Sequence, residues 1–137
     1  MTERMREDRQ NLTGVWHGLF TYATGQSVSF VATLIESGSH LGGATHEPCV
    51  ASVCPSDTVY ASLSGGRQGN SVTFVKSYDG GAGPDYQNPV AYDGMLSGDA
   101  TEIEGRWRIR GLLSGRFLMI RSAGKAEAVE RKAHQRA

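Results

Sequence analysis

Few side chains in this sequence can do chemistry, and their spacing excludes most of the chemistry they are used for. The four histidines, His17, His40, His46 and His134, form neither an i, i+4 pair nor an HxH pair, the spacings that let two imidazoles meet one metal ion. No metal is expected, and the histidines read as solvated. Cys49 and Cys54 stand five positions apart in CVASVC, a spacing that is neither a zinc half-site nor a redox CxxC. Two free thiols near a turn, behaving as small apolar residues in a reducing compartment, are the expectation, with a redox-sensitive loop bridge as the alternative. There is no GxSxG, no P-loop and no GxGxxG, and Gly80-Gly81-Ala82-Gly83 is not followed by a helical pattern that would complete a phosphate cradle. With no nucleophile and no such motif, no cofactor is expected and a catalytic residue set is not assigned.

The polar groups left to explain lie in β-type segments. Eight such runs, residues 12–24, 26–36, 39–48, 57–67, 69–78, 89–98, 101–110 and 114–123, are separated by glycine-rich turns, in a chain with 18 Gly and only 4 Pro. Almost every connection is short enough for a hairpin, which favours a meander closing on itself over a Greek-key sandwich. The predicted fold is all-β, an eight-stranded antiparallel up-and-down β-barrel. Its domain plan is a polar segment at 1–11, a single barrel at 12–123, and a short C-terminal helix or tail at 124–137, where helix formers gather. The longest connection, DGGAGPDYQN at 79–88 with Asp85 and Tyr86, is the expected lid.

Strand alternation then sorts the side chains. The large residues choose the inward set: Trp16, Phe20 and Tyr22 in the first strand, then Phe30, Ala32 and Leu34, followed by Leu41, Thr45 and Glu47. Later strands contribute Val59, Ala61, Leu63 and Arg67; Val72, Phe74, Lys76 and Tyr78; Val90, Tyr92 and Leu96; Ile103, Trp107 and Ile109; and Phe117, Met119 and Arg121. Isolated buried charges are costly, so Glu47 and Lys76 are expected to pair. A barrel of eight strands holds either side chains alone or one small ligand. The candidate cavity is Tyr22, Glu47, Phe74, Lys76, Tyr78, Tyr92 and Trp107, with a filled barrel sealed by its charges as the alternative.

The sequence also bears on partners. Val15, Leu19, Val31, Ile35, Val75, Leu118 and Ile120 fall on the outward parity, which suggests a homodimer or cover by the C-terminal segment. Net charge is zero, but residues 11–100 carry two basic and seven acidic groups while 101–137 carry nine and four. Arg106, Arg108 and Arg110 share an outward face without interleaved aromatics, so nucleic acid is not expected. No run approaches the roughly 18 apolar residues of a membrane helix, and Met1–Asn11 lacks a secretory apolar core, so a cytoplasmic location without membrane association is expected.

Leu12-Thr13-Gly14-Val15-Trp16 opening the first strand, together with Arg121 in the last, resembles the signature of the calycins, the lipocalin, fatty-acid-binding and avidin superfamily; the first five residues are closest to avidin. The resemblance implies that Trp16 closes one end of the barrel and that Arg121 packs across it as a structural cation–π lock. It does not carry biotin binding over, because His17 and Gly18 follow where avidin places polar contacts. The function expected is non-catalytic binding of a small, amphipathic ligand. The alternatives are a small-barrel enzyme of isomerase or cyclase type using Glu47, Lys76 and a tyrosine, or a ligandless oligomeric interaction module.

Overall fold

The computed structural model describes residues 11–121. The expected polar start and the expected C-terminal helix lie outside those residues, apart from Asn11. Eight strands follow one another: β1 (Gly14–Tyr22), β2 (Ser27–Ser37), β3 (His40–Pro48), β4 (Thr58–Gln68), β5 (Ser71–Tyr78), β6 (Val90–Leu96), β7 (Glu102–Ile109) and β8 (Leu113–Ile120). Each pairs antiparallel with the next, and β8 returns to β1 through His17↔Ile120 to Tyr22↔Gly115, closing the barrel. The lid segment holds two short 3₁₀ turns, Gly80–Ala82 and Pro84–Tyr86.

The inward parity read from the large residues is the buried one. Trp16, Phe20, Phe30, Leu34, Leu41, Phe74, Tyr92, Trp107, Phe117 and Met119 form a single interior core. On the outward parity, Val15, Ile35 and Val75 are exposed, whereas Leu19, Leu118 and Ile120 are buried in a separate small cluster outside the β1–β8 pair.

The two ends of the barrel differ. At one end, Leu12 is wholly buried and its carbonyl accepts the Trp16 indole N–H at 2.9 Å. The Arg121 guanidinium carbon stands 4.9 Å from the centre of the Trp16 ring while its NH2 group donates to the Asn11 carbonyl. Glu36 joins this closure by accepting from the Leu12 N–H at 2.8 Å and from Arg67 at 3.1 Å. Cation, ring and ion pair thus staple the segment entering β1 across the barrel end. The opposite end carries the two long connections, 49–57 and 79–89, and they touch each other there.

One sequence expectation is corrected here. Cys49 and Cys54 are not free thiols: they form a disulfide, with Cα atoms 6.0 Å apart. A reducing compartment favours free thiols, but spacing along the chain does not show how the loop folds back. In the folded chain the Cys49 N–H bonds the Asp57 carbonyl at 2.9 Å, extending the β3–β4 ladder and turning the intervening residues back within bridging range.

Close backbone approach explains one recurrent glycine. Gly105 faces Gly94 across β6 and β7, and a Cβ at Gly105 would stand 1.9 Å from the Asp93 carbonyl oxygen. Backbone cannot yield as a side chain can. Gly105→Ala is therefore expected to lower the urea midpoint by an amount equivalent to about 1–3 kcal/mol. Gly98→Ala, at a turn where a Cβ meets nothing within 4 Å, is expected to stay within about 0.5 kcal/mol. Equal midpoints for the two variants would contradict the close strand approach.

Candidate functional site

The site begins with the strand ladder that brings three sequence-distant groups together. In β3, Glu47 faces inward two residues beyond Thr45; in β5, Lys76 and Tyr78 share the inward parity. β4 lies between these strands, and its small Ala61, paired with both Thr45 and Tyr78, leaves room for the longer side chains to meet across it. Lys76 Nζ donates to Glu47 Oε1 at 2.8 Å, and the Tyr78 hydroxyl lies 3.1 Å from both carboxylate oxygens. Lys76 and Glu47 are almost completely buried, at 1% and 2% exposure.

An ion pair so buried needs more than its partner. Four rings supply the rest: the Lys76 ammonium is 4.7 Å from the centre of Phe20, 4.8 Å from Tyr78, and 5.3 Å from both Phe30 and Tyr92. Negative ring faces around a desolvated ammonium stabilise it electrostatically. Phe30 can take its place because its cross-strand neighbour is Gly18, where a Cβ would sit 2.1 Å from the ring. Aromatic contacts extend the cage, since Tyr92 stacks on Phe74 at 4.9 Å and Trp107 meets Phe20 at 5.9 Å and Tyr22 at 5.2 Å. The centre of the barrel at this level is thus filled by the protein's own ammonium and rings.

The electrostatics keep the protons in place. Burial acts to lower the Lys76 pKa, but the fields of Tyr92, Glu47 and Tyr78 and the bond to Glu47 outweigh it and hold the ammonium above its usual value. Burial likewise raises the Tyr78 and Tyr92 phenols, against the opposing pull of Lys76, and Tyr22 is raised by burial and by the nearby Glu47 carboxylate. Near neutrality Lys76 stays charged and the phenols stay protonated. The ammonium and the Tyr78 phenol thus stand as hydrogen-bond donors to the Glu47 carboxylate.

Two approaches lead from the surface to this cluster. One is the barrel end that carries the 49–57 and 79–89 connections. There the Tyr86 ring meets Tyr78 at 4.7 Å, while its hydroxyl accepts from the Val50 N–H at 3.0 Å and donates to Cys49 Sγ at 3.7 Å. The other is a cleft in the barrel wall. The β2–β3 ladder stops at Val31↔His46, although β2 continues along β1 and β3 continues along β4 to Pro48. Pro48 has no N–H to offer across the gap. A cleft of about 250 Å³ opens there, lined by His17, Ser29, Val31, His46, Asp57 and Thr58, with Phe30 and Glu47 also in its lining.

Of the residues singled out from sequence, Glu47, Lys76, Tyr78 and Tyr92 meet directly, Tyr22 and Trp107 adjoin them, and Phe74 stands one ring further out. Trp16 and Arg121 lie at the other end. Phe20, Phe30, Gly18 and Tyr86 complete the site without having been assigned to it. Their signals were present, since Gly18 and Phe30 share the inward parity and Tyr86 sits in the expected lid, but neither the cross-strand register nor the loop contact is a sequence property. Among the described residues no group of three or more His, Cys, Asp or Glu side chains could hold a metal ion.

No family model matches this chain, and no curated protein matches it. Among solved structures, it is similar to a de novo designed fluorescence-activating β-barrel, with a TM-score of 0.59 and 12% identity over 83% of this chain and 96% of that one. That likeness concerns the fold.

Two outcomes test the cluster. Glu47→Leu strands the Lys76 ammonium and is expected to cost about 3–5 kcal/mol of unfolding free energy, whereas Glu47→Leu with Lys76→Met is expected to regain most of it, because removing a whole buried pair is commonly neutral or stabilising. Urea titrations of the three proteins measure this; strictly additive losses would refute the pairing. With Lys76, Tyr78 and Tyr92 all raised in the folded state, their contribution is complete below their unfolded pKa values, about 10. It falls as pH rises from there towards the folded values. Stability is therefore expected to drop above about pH 10, with phenolate absorbance growing in step with unfolding. Ionisation of all tyrosines while the barrel remains folded would contradict this.

Proposed function

We propose that this protein is a calycin-like barrel that binds a compact, amphipathic small molecule without transforming it. The observation that carries the reading is the wall cleft, whose lining reaches the buried Glu47 carboxylate. A concave, mostly apolar recess with a few placed polar groups is the usual form of a small-molecule site. At about 250 Å³ the cleft lies just below the range of drug-sized pockets, roughly 300–1,000 Å³, so the ligand is small. Phe30, Val31 and Pro48 offer it an apolar surface. The Asp57 carboxylate, with no Lys or Arg in the lining, favours a hydrogen-bond-donating or cationic head such as an amine, since Glu47 is already paired with Lys76.

Thr45, two residues from Glu47 on the same inward face but outside the cleft lining, has a buried hydroxyl with no hydrogen-bond partner among the described residues. A buried polar atom without a partner calls for one. The structural similarity to a designed fluorescence-activating barrel is consistent with an interior of this size serving a small molecule. Binding is favoured over acid–base catalysis because the ammonium and phenols hold their protons near neutral pH, whereas a general acid or base works best with a pKa near that of its surroundings.

Native mass spectrometry of protein purified from its own host, compared with a denatured sample, is expected to show a released small molecule. Independently, Ser29→Trp fills the cleft from its rim without entering the core. Ligand-observed NMR with tyramine, a compact aromatic amine, is expected to show binding to the parent protein and at least about a tenfold loss, roughly 1.4 kcal/mol, in the variant. Equal tyramine binding by a folded Ser29→Trp protein would remove the cleft from the proposal.

A further inference from the structure

We propose that the Cys49–Cys54 bridge is a redox switch that governs access to the Glu47–Lys76–Tyr78 cluster, opened by a dithiol reductant. As regulation of a ligand site it rests on the binding function proposed above; the opening itself is a property of the loops.

The bridged connection stands on both approaches to the cluster. Its two feet, Pro48 on one side and Asp57 and Thr58 on the other, line the wall cleft. Its body holds the tip of the 79–89 segment: Tyr86 is fixed by the Val50 amide and Cys49 sulfur. Gly83 lies so near that a Cβ there would be 3.3 Å from Pro55 and 3.4 Å from the Val53 carbonyl. By contrast, the root of the lid is fastened independently, through the Asp79 N–H to the Tyr60 carbonyl at 2.9 Å. The lid therefore has a permanent hinge at Asp79 and a tip latched onto residues that the disulfide constrains. Latched, Tyr86 covers Tyr78, and Tyr78 in turn holds Glu47.

The chemistry is balanced thiol–disulfide exchange. Cys54 is exposed while Cys49 is half-buried beneath Tyr86, so a thiolate of the reductant attacks Cys54 Sγ and expels Cys49 as a thiolate. The second thiol of the reductant then attacks its own sulfur in the mixed disulfide, releasing Cys54. The reductant leaves as its disulfide, and both cysteines take up protons. Breaking the link restores the conformational freedom of the segment between them, so that Val50 no longer presents a fixed amide to Tyr86. In a reducing compartment an exposed bridge of this kind is transient, which is the setting in which cytosolic disulfides act as sensors.

Hydrogen exchange of the ligand-free protein tests the switch. Reduction with dithiothreitol, with two free thiols verified by mass, is expected to speed exchange of the Val50 and Tyr86 amides by about tenfold or more. Acylation of Tyr78 by N-acetylimidazole should rise in parallel. The Arg121 amide, bonded to the Thr101 carbonyl at the closed end, should be unchanged. Tyr86→Phe, with its disulfide intact, should speed Val50 exchange alone. Unchanged Val50 and Tyr86 exchange in fully reduced protein would overturn the proposal, as would a rise that includes Arg121, which marks general unfolding. No acceleration in Tyr86→Phe would equally remove the latch. Because no ligand is present, failure of tyramine to bind leaves this test intact, and the reverse holds too.

Discussion

A lysine ammonium enclosed in a β-barrel makes demands on everything around it. Once desolvated, Lys76 requires a carboxylate within hydrogen-bond reach and ring faces where water would otherwise be, and the barrel supplies Glu47 and the rings of Phe20, Phe30, Tyr78 and Tyr92. Those five residues come from β1, β2, β3, β5 and β6, so the pair can be satisfied only after the meander has closed around it. Gly18 and Ala61 then follow as necessities, one giving up volume to the Phe30 ring and the other lying under the contact between β3 and β5. The cluster constrains strand register as strongly as any apolar contact in the core, since a slip of one residue would turn a charge to the outside and an outward residue inside.

That demand divides the barrel along its axis. Below the cluster the interior is packed with aliphatic and aromatic groups and stapled by Leu12, Trp16, Arg121, Glu36 and Arg67, a structural end. Above it lie phenols, a carboxylate and two long connections that hold each other, an end able to change. The wall gap between β2 and β3 belongs to the same upper half. Separating a rigid end from an adaptable one lets loop contacts vary without loss of the core that supports them.

The volume that an eight-stranded barrel can devote to a small molecule is taken at the cluster level by the lysine side chain and its rings, which together act like a bound organic cation. The ligand of the proposed function would sit beside the cluster, at the wall cleft, rather than within the cage. This arrangement follows from the cost of leaving the ammonium unpaired and unstacked: a ligand that entered the cage would have to replace both the ring contacts and the Glu47 bond.

Much of this architecture was legible in the residues themselves. Glycine-punctuated alternation specifies eight strands, short connections specify a meander, and the parity of Trp16, Phe74 and Phe117 also carries Glu47 and Lys76 to the interior; such periodicities are local and need no knowledge of the fold. The disulfide was not legible, because five intervening bonds along the chain say nothing of how the 49–57 connection turns back on itself. Nor were the ring cage, the Gly18–Phe30 contact, the Tyr86 latch or the β2–β3 gap, since each joins residues whose separation is set by register and closure. Alternation assigns a side of the sheet to every residue, but only the closed barrel decides depth along its axis and which inward groups touch, because those distances are fixed by strand pairing across the whole chain.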